Sequence, residues 1–262
     1  MVNDADIRSR IEWARFLVGF LVVFALFQGA ATRLESDRGQ AGIIVCAIVV
    51  AATLIAERMW FRPTVRAAAL SLGLGAPRVA GLAVAAAVSM VLLFIVPAYA
   101  AAAGMRWSIR SDALTLLPGL FAQAGVAEEI LFRGYLFGHL RRGRSFWSAA
   151  VLSMLPFVLV HLFMFVNLPW PVALASLLLS VVISFPMAHL FELGGGTIWP
   201  PALLHFVVQG TVKVIDLAGE GTASFPLVWI AASAVVPLAV FLFRLRAIEP
   251  VLTKLRNKSQ VG

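Results

Sequence analysis

Ionisable and amide side chains recur along one otherwise apolar stretch of this chain: Gln123, Glu128, Glu129, Arg133, His161, His189, Glu192, His205, Gln209 and Lys213. Each charged group near a bilayer centre costs at least about 2.5 kcal/mol, so their concentration on four consecutive apolar segments points to a shared polar cavity. Glu129 and Arg133 are four residues apart and share a helix face, the spacing of an ion pair. Glu128 is turned about 100° from Glu129 and has Phe132 at its own i+4 position. An unpaired carboxylate in a low-dielectric site suits general acid–base work; the bland alternative is that both glutamates mark a helix end. His161 follows Phe157 by one turn, and His205 precedes Gln209 by one turn. A histidine and an amide on one face can direct hydrogen bonds at a common point, as an oxyanion site or an interhelical polar clamp requires. Together these side chains can activate a water and stabilise an oxyanion. Glu128, His161 and His205 are also a chemically suitable zinc set, although no His-Glu-x-x-His spacing is present.

The elements that must position these groups follow from composition. The chain has 262 residues, 61% hydrophobic and 13% charged, with mean hydropathy +0.94. Soluble domains carry about 45–50% apolar and about 25% charged residues, and one cysteine, Cys46, excludes an internal disulfide framework. The expectation is an all-α polytopic membrane bundle of about eight helices forming a single domain, residues 1–262. The candidate spans are 13–31, 41–60, 79–103, 113–139, 146–167, 171–193, 198–216 and 225–244. Segment 62–78, interrupted by Arg62, Pro63 and Arg66, reads as an interfacial piece bearing Leu70, Leu72 and Leu74. The run 13–31 follows basic residues and ends in small ones, as a cleaved leader would, but seven further spans favour a retained helix.

Charge sets an expected orientation. One side collects Arg8, Arg10, Arg15, Arg58, Arg62, Arg66, Arg78, Arg141, Arg142, Arg144, Arg244, Arg246, Lys254, Arg256 and Lys258. The other holds only Arg33, Arg38, Arg106 and Arg110. The positive-inside rule then puts both termini in the cytosol. It also accounts for the net charge of +8 without nucleic acid. Trp13, Trp60, Trp107, Trp147, Trp170 and Trp199 fall near span ends, where amphipathic rings settle, while Trp229 lies deeper.

Glu128-Glu129-x-x-x-Arg133, Phe157-x-x-x-His161 and His205-x-x-x-Gln209, in that order, resemble the three-motif signature of the CPBP (Abi) family. That family comprises type II CAAX prenyl endopeptidases and related bacteriocin-processing or immunity proteins. The resemblance covers roughly residues 112–215, the expected catalytic core. It implies an eight-helix intramembrane protease with a cavity open toward the cytosol, acting on a membrane-associated or lipidated protein in a bacterial inner membrane. It further implies that Glu128 is the general base and His161 its partner in holding the water. Glu129 and Arg133 would be the supporting pair, and His205 the oxyanion stabiliser. The family is described both as glutamate-dependent and as metallo-enzymes, so zinc enters as an option. One departure stands out: the family usually has Asn or Asp where this chain has Gln209, whose extra methylene displaces the amide by more than about an ångström, against a tolerance of about 0.5 Å.

Two other readings have different signatures. A non-proteolytic membrane scaffold or immunity protein would keep the fold and make Glu128 dispensable. A transporter would show inverted repeats and broken spans, and neither stands out. His139, beside basic residues, reads as solvated, and His189 with Glu192 as structural.

Overall fold

The computed structural model describes residues 4–34, 38–162, 164–219 and 222–243. Of the cations used for orientation, the side chains of Arg8, Arg10 and Arg38, and residues 244–262 with Arg244, Arg246, Lys254, Arg256 and Lys258, lie outside the described residues. The described chain forms helices α1 (Asp4–Arg33), α2 (Arg38–Trp60), α3 (Val65–Ser71), α4 (Val79–Ala102) and α5 (Ala113–Arg141). They are followed by α6 (Phe146–His161), α7 (Trp170–Leu193), α8 (Trp199–Val214) and α9 (Phe225–Leu242). Strands β1 (Arg106–Ile109) and β2 (Ile215–Ala218) pair antiparallel, with Arg106 opposite Ala218.

Seven of the eight expected spans are helices long and apolar enough to cross a membrane. Their outer faces expose Leu21, Met90, Phe94 and Leu159, an apolar surface suited to lipid. The eighth, expected over 198–216, is corrected. α8 has 16 residues, about 24 Å at 1.5 Å per residue, short of the roughly 30 Å hydrocarbon core. It stops because Ile215 turns extended (φ −107°, ψ 128°) and enters β2. α8 survives at that length because it is wrapped by protein, packing chiefly on α4 and the first half of α5.

The bundle has two distinct ends. At one, His139 and Arg142 reach Glu57, Arg141 pairs with Glu192, Arg144 stacks over Trp13, and His189 bonds to the Phe243 carbonyl. The other end carries the β1–β2 ribbon, tied to α8 by the Arg110 N–H donating to the Val214 carbonyl at 2.9 Å. Segment 62–78 does not span. Thr64 caps α3 by accepting the Ala67 N–H at 3.1 Å, and fully buried Leu72 docks the segment on α5. The Leu72 carbonyl lies 2.3 Å from where a Cβ on Gly134 would stand.

α2 seats α5 through a second close approach. A Cβ at Gly42 would lie 2.2 Å from the Gly119 carbonyl oxygen, so backbone meets backbone with no flexible atom to yield. Gly42→Ala is therefore expected to force α2 and α5 apart and to cost about 1–3 kcal/mol. A clearly lowered melting temperature in detergent is the expected readout; an unchanged one would contradict this packing.

Candidate active site

Glu128 and Glu129 sit at the middle of α5, between two stretches of π-helical winding, Phe121–Ala127 and Ile130–Phe137. Pro118 interrupts the ladder one turn before the first, having no N–H to donate. Wide turns of this kind recur at functional sites because they rotate side chains out of α register. The two glutamates meet different surroundings. Glu129 is fully buried, and its Oε1 accepts from the Arg133 guanidinium at 3.0 Å and from His205 Nδ1 at 2.7 Å. Its Oε2 has no hydrogen-bond partner among the described residues. Arg133, 3% exposed, lies over the Phe157 ring at 4.7 Å from the centroid, so a face of the cation is covered by an aromatic ring.

α8 is held so that its polar face meets Glu128. Its start is pinned by the Ile198 N–H donating to the Gly73 carbonyl at 3.0 Å and by Trp199 Nε1 donating to the Gly75 carbonyl at 2.8 Å. Further along, Trp229 Nε1 donates to the Val208 carbonyl at 2.9 Å, which satisfies the one tryptophan placed deep in a span. Gln209 Nε2 then reaches Glu128 Oε1 at 3.4 Å and His205 Nε2 at 2.8 Å, while Lys213 donates to Gln209 Oε1 at 3.4 Å. The amide orientation follows: Lys213 can only donate and the carboxylate can only accept. The same logic sets His205. Nδ1 carries the proton given to Glu129, so Nε2 of the neutral ring accepts from Gln209 and stands 3.6 Å from Glu128 Oε2. Sequence alone treats His205 and Gln209 as two donors; here the neutral histidine is an acceptor. The extra methylene of Gln209 does not remove its amide from the cluster.

His161 is placed differently. Its Nδ1 donates to the Phe157 carbonyl of its own helix at 2.7 Å, leaving the Nε2 lone pair free of that bond. Phe157 lies between the two imidazoles, 4.7 Å from the His161 ring and 6.2 Å from the His205 ring. The structure thus joins Glu128, Glu129, Arg133, His205 and Gln209 by hydrogen bonds and adds His161 through Phe157 and the cavity wall. That cavity is about 810 Å³, with Gln123, His161, His205, Gln209 and Lys213 among its polar lining and the Phe157 ring beside them. Apolar residues such as Val172, Ile183, Val208 and Trp229 form the remainder.

The cavity occupies the half of the bundle that carries the β ribbon, with Leu34, Leu168, Asp216 and Thr222 at its rim. Two expectations, cytosolic termini and a cavity open to the cytosol, pull apart in this fold, because the first and last described stretches of the chain, near Trp13 and Phe243, lie toward the opposite end. Among the described residues no group of three His, Cys, Asp or Glu side chains could hold a metal ion. Glu128, His161 and His205 do not converge as a zinc site would require, and no chemical step is routed through a metal.

One cluster was missed and one residue misread. Fully buried Glu57 accepts from Ser71 at 2.7 Å and pairs with His139 at 2.8 Å and Arg62 at 3.3 Å. His139, expected in water, is instead stacked on Phe16, met edge-on by Phe61 and packed at a tilt against Tyr135. The signal was an acidic residue inside the second apolar run. His189 and Glu192 are buried and structural: His189 donates to the Phe243 carbonyl and Glu192 pairs with Arg141, away from the cavity.

The Glu129–Arg133 pair gives a direct test. Removing one member of a buried ion pair leaves the other uncompensated and costs roughly 3–5 kcal/mol. Arg133→Met should lower the unfolding midpoint accordingly, and the Arg133→Met/Glu129→Leu double variant should recover much of the loss. An additive double variant would contradict a coupled pair.

Residues 110–211 match the family model described as Rce1-like: Type II CAAX prenyl endopeptidase Rce1-like. No curated protein matches the chain. The matched segment contains Glu128, Glu129, Arg133, Phe157, His161, His205 and Gln209, of which Phe157, His161, His205 and Gln209 line the cavity. Over residues 110–211, which carry all three motifs within a polytopic helical bundle, this chain is similar to the type II CAAX prenyl endopeptidases, a family of proteases.

Proposed function

We propose that the chain is an intramembrane endopeptidase that hydrolyses a peptide bond of a membrane-associated or lipidated protein by direct attack of water. The observation that carries this reading is the division of labour between adjacent carboxylates. Glu129 is committed to Arg133 and His205, whereas among the described residues Glu128 is met only by the weak 3.4 Å amide contact and the 3.6 Å approach of His205. Glu128 takes a proton from a water also held by His161 Nε2, and the hydroxide attacks the scissile carbonyl. Gln209 turns its N–H from Glu128 to the oxyanion, and Glu128 passes the water's proton to His205 Nε2, 3.6 Å away, which leaves Glu128 ionised and makes His205 a second donor. Glu129 balances that imidazolium, since the cluster of Glu128, Glu129, Arg133 and protonated His205 then sums to zero. His205 finally returns that proton through Glu128 to the leaving amine as the tetrahedral intermediate collapses to acid and amine.

The observation favouring a second reading, a non-proteolytic scaffold or immunity protein, is Gln209 itself. Its long arm bridges Glu128 and His205 and so lies across the base. Comparing protein termini in membranes of cells carrying wild type or Glu128→Gln at equal expression separates the two. The peptidase reading expects a small set of substrates left uncut in the variant, with turnover reduced by about 10²–10⁴. Identical termini would support the scaffold. On any substrate so found, Gln209→Leu should lower the rate by about 10²–10³, the loss of one oxyanion donor. A variant that cuts faster would instead identify Gln209 as an obstruction.

A further inference from the structure

Most arginines of the described loops lie at the closed end of the bundle, away from the cavity, against Arg33, Arg106 and Arg110 at the cavity end, and that opposition bears on where a substrate enters. Arg58, Arg62, Arg66 and Arg78 lie in or beside one short connection at the closed end, and Arg141, Arg142 and Arg144 in another. At the cavity end, Arg110 is forked onto Asp112 at 2.9 and 2.8 Å, and this pairing holds the Asp112 carboxyl below the ordinary range. Asp216 adds a further negative charge at the cavity rim. Short loops rich in Lys and Arg stay on the cytoplasmic side during insertion, while short loops poorer in them are translocated.

We propose that the closed end faces the cytosol and that the cavity admits its substrate from the extracytoplasmic side. This rests on the peptidase reading and narrows it. The substrate class becomes a membrane-anchored protein whose scissile bond lies in the outer half of the bilayer or just outside it. A protein lipidated in the cytosol and held on the inner leaflet is then outside this class. The cavity suits such a segment. Val172, Ile183, Phe225 and Trp229 give it a largely apolar wall along α7 and α9, interrupted by Ser176 and Ser180, and His205 and Gln209 add polar groups from α8.

Cys46 is the sole native thiol, so Cys46→Ala provides a background for single cysteines. Thr222→Cys, at the cavity rim, and Arg66→Cys, at the closed end, are both exposed positions. Treatment of intact cells with a membrane-impermeant maleimide is expected to label Thr222→Cys and leave Arg66→Cys unlabelled, and inverted vesicles should reverse the pattern. Labelling in the opposite sense, or equally from both sides, overturns the proposal. A bulky maleimide added outside to Thr222→Cys should also cause loss of cleavage of the substrates revealed by Glu128→Gln; undiminished cleavage overturns entry by this route. If Glu128→Gln changes no termini, the peptidase reading fails on its own, and the labelling still decides which face the cavity addresses.

Discussion

A carboxylate with no exposure to water, Glu129, is shared between an arginine from its own helix and a histidine from another. Charges in such a place cost several kcal/mol each to desolvate and are retained only when paired and hydrogen-bonded. The requirement reaches far into the fold. It places the fourth long span against α8, orders Arg133 over Phe157 of α6, and leaves His205 one tautomer when neutral. Three helices are thereby brought into register by one acidic group. α8, too short to cross a bilayer by itself, is anchored at the point where its polar side chains meet α5.

That anchoring differentiates two residues that are neighbours in sequence. Had α5 carried only one glutamate, the same carboxylate would have had to hold the helices together and face the cavity. With two, about 100° apart, the structural demand falls on Glu129 and Glu128 stays lightly bound. The π-helical winding on either side assists, since it lets both glutamates meet α8 residues one turn apart, His205 and Gln209. A second acidic anchor, Glu57, serves the closed end in the same manner with His139, Arg62 and Ser71. Buried acid–base contacts thus fasten the bundle at its middle and at one end. The remaining end, closed only by a four-residue ribbon, is where the cavity reaches the surface.

Much of this was legible in the sequence because membranes impose simple rules. Seven apolar runs became spans, and the Glu129–Arg133 pair followed from i,i+4 spacing. The eighth run misled by length. Ile215 and Leu217 are as apolar as a helix requires, but pairing with β1 turns them extended, a tertiary effect that no window of hydropathy contains. His139 misled by company: three nearby arginines suggest water, yet the ring is enclosed by Phe16, Phe61 and Tyr135. The direction of the His205–Gln209 contact was illegible for another reason. Residue types offer donors and acceptors alike, and only the position of Glu129 decides which nitrogen carries the proton.

The account stands on adjacent carboxylates having separate duties, and parallel melting curves of purified Glu128→Gln and Glu129→Gln test that separation most directly. Glu129→Gln should melt well below wild type, because a neutral amide leaves the Arg133 charge buried and unpaired. Glu128→Gln should melt at or above wild type, as removal of a charge kept for chemistry often stabilises a fold. Equal losses in the two variants, or a larger loss from Glu128→Gln, would contradict the account.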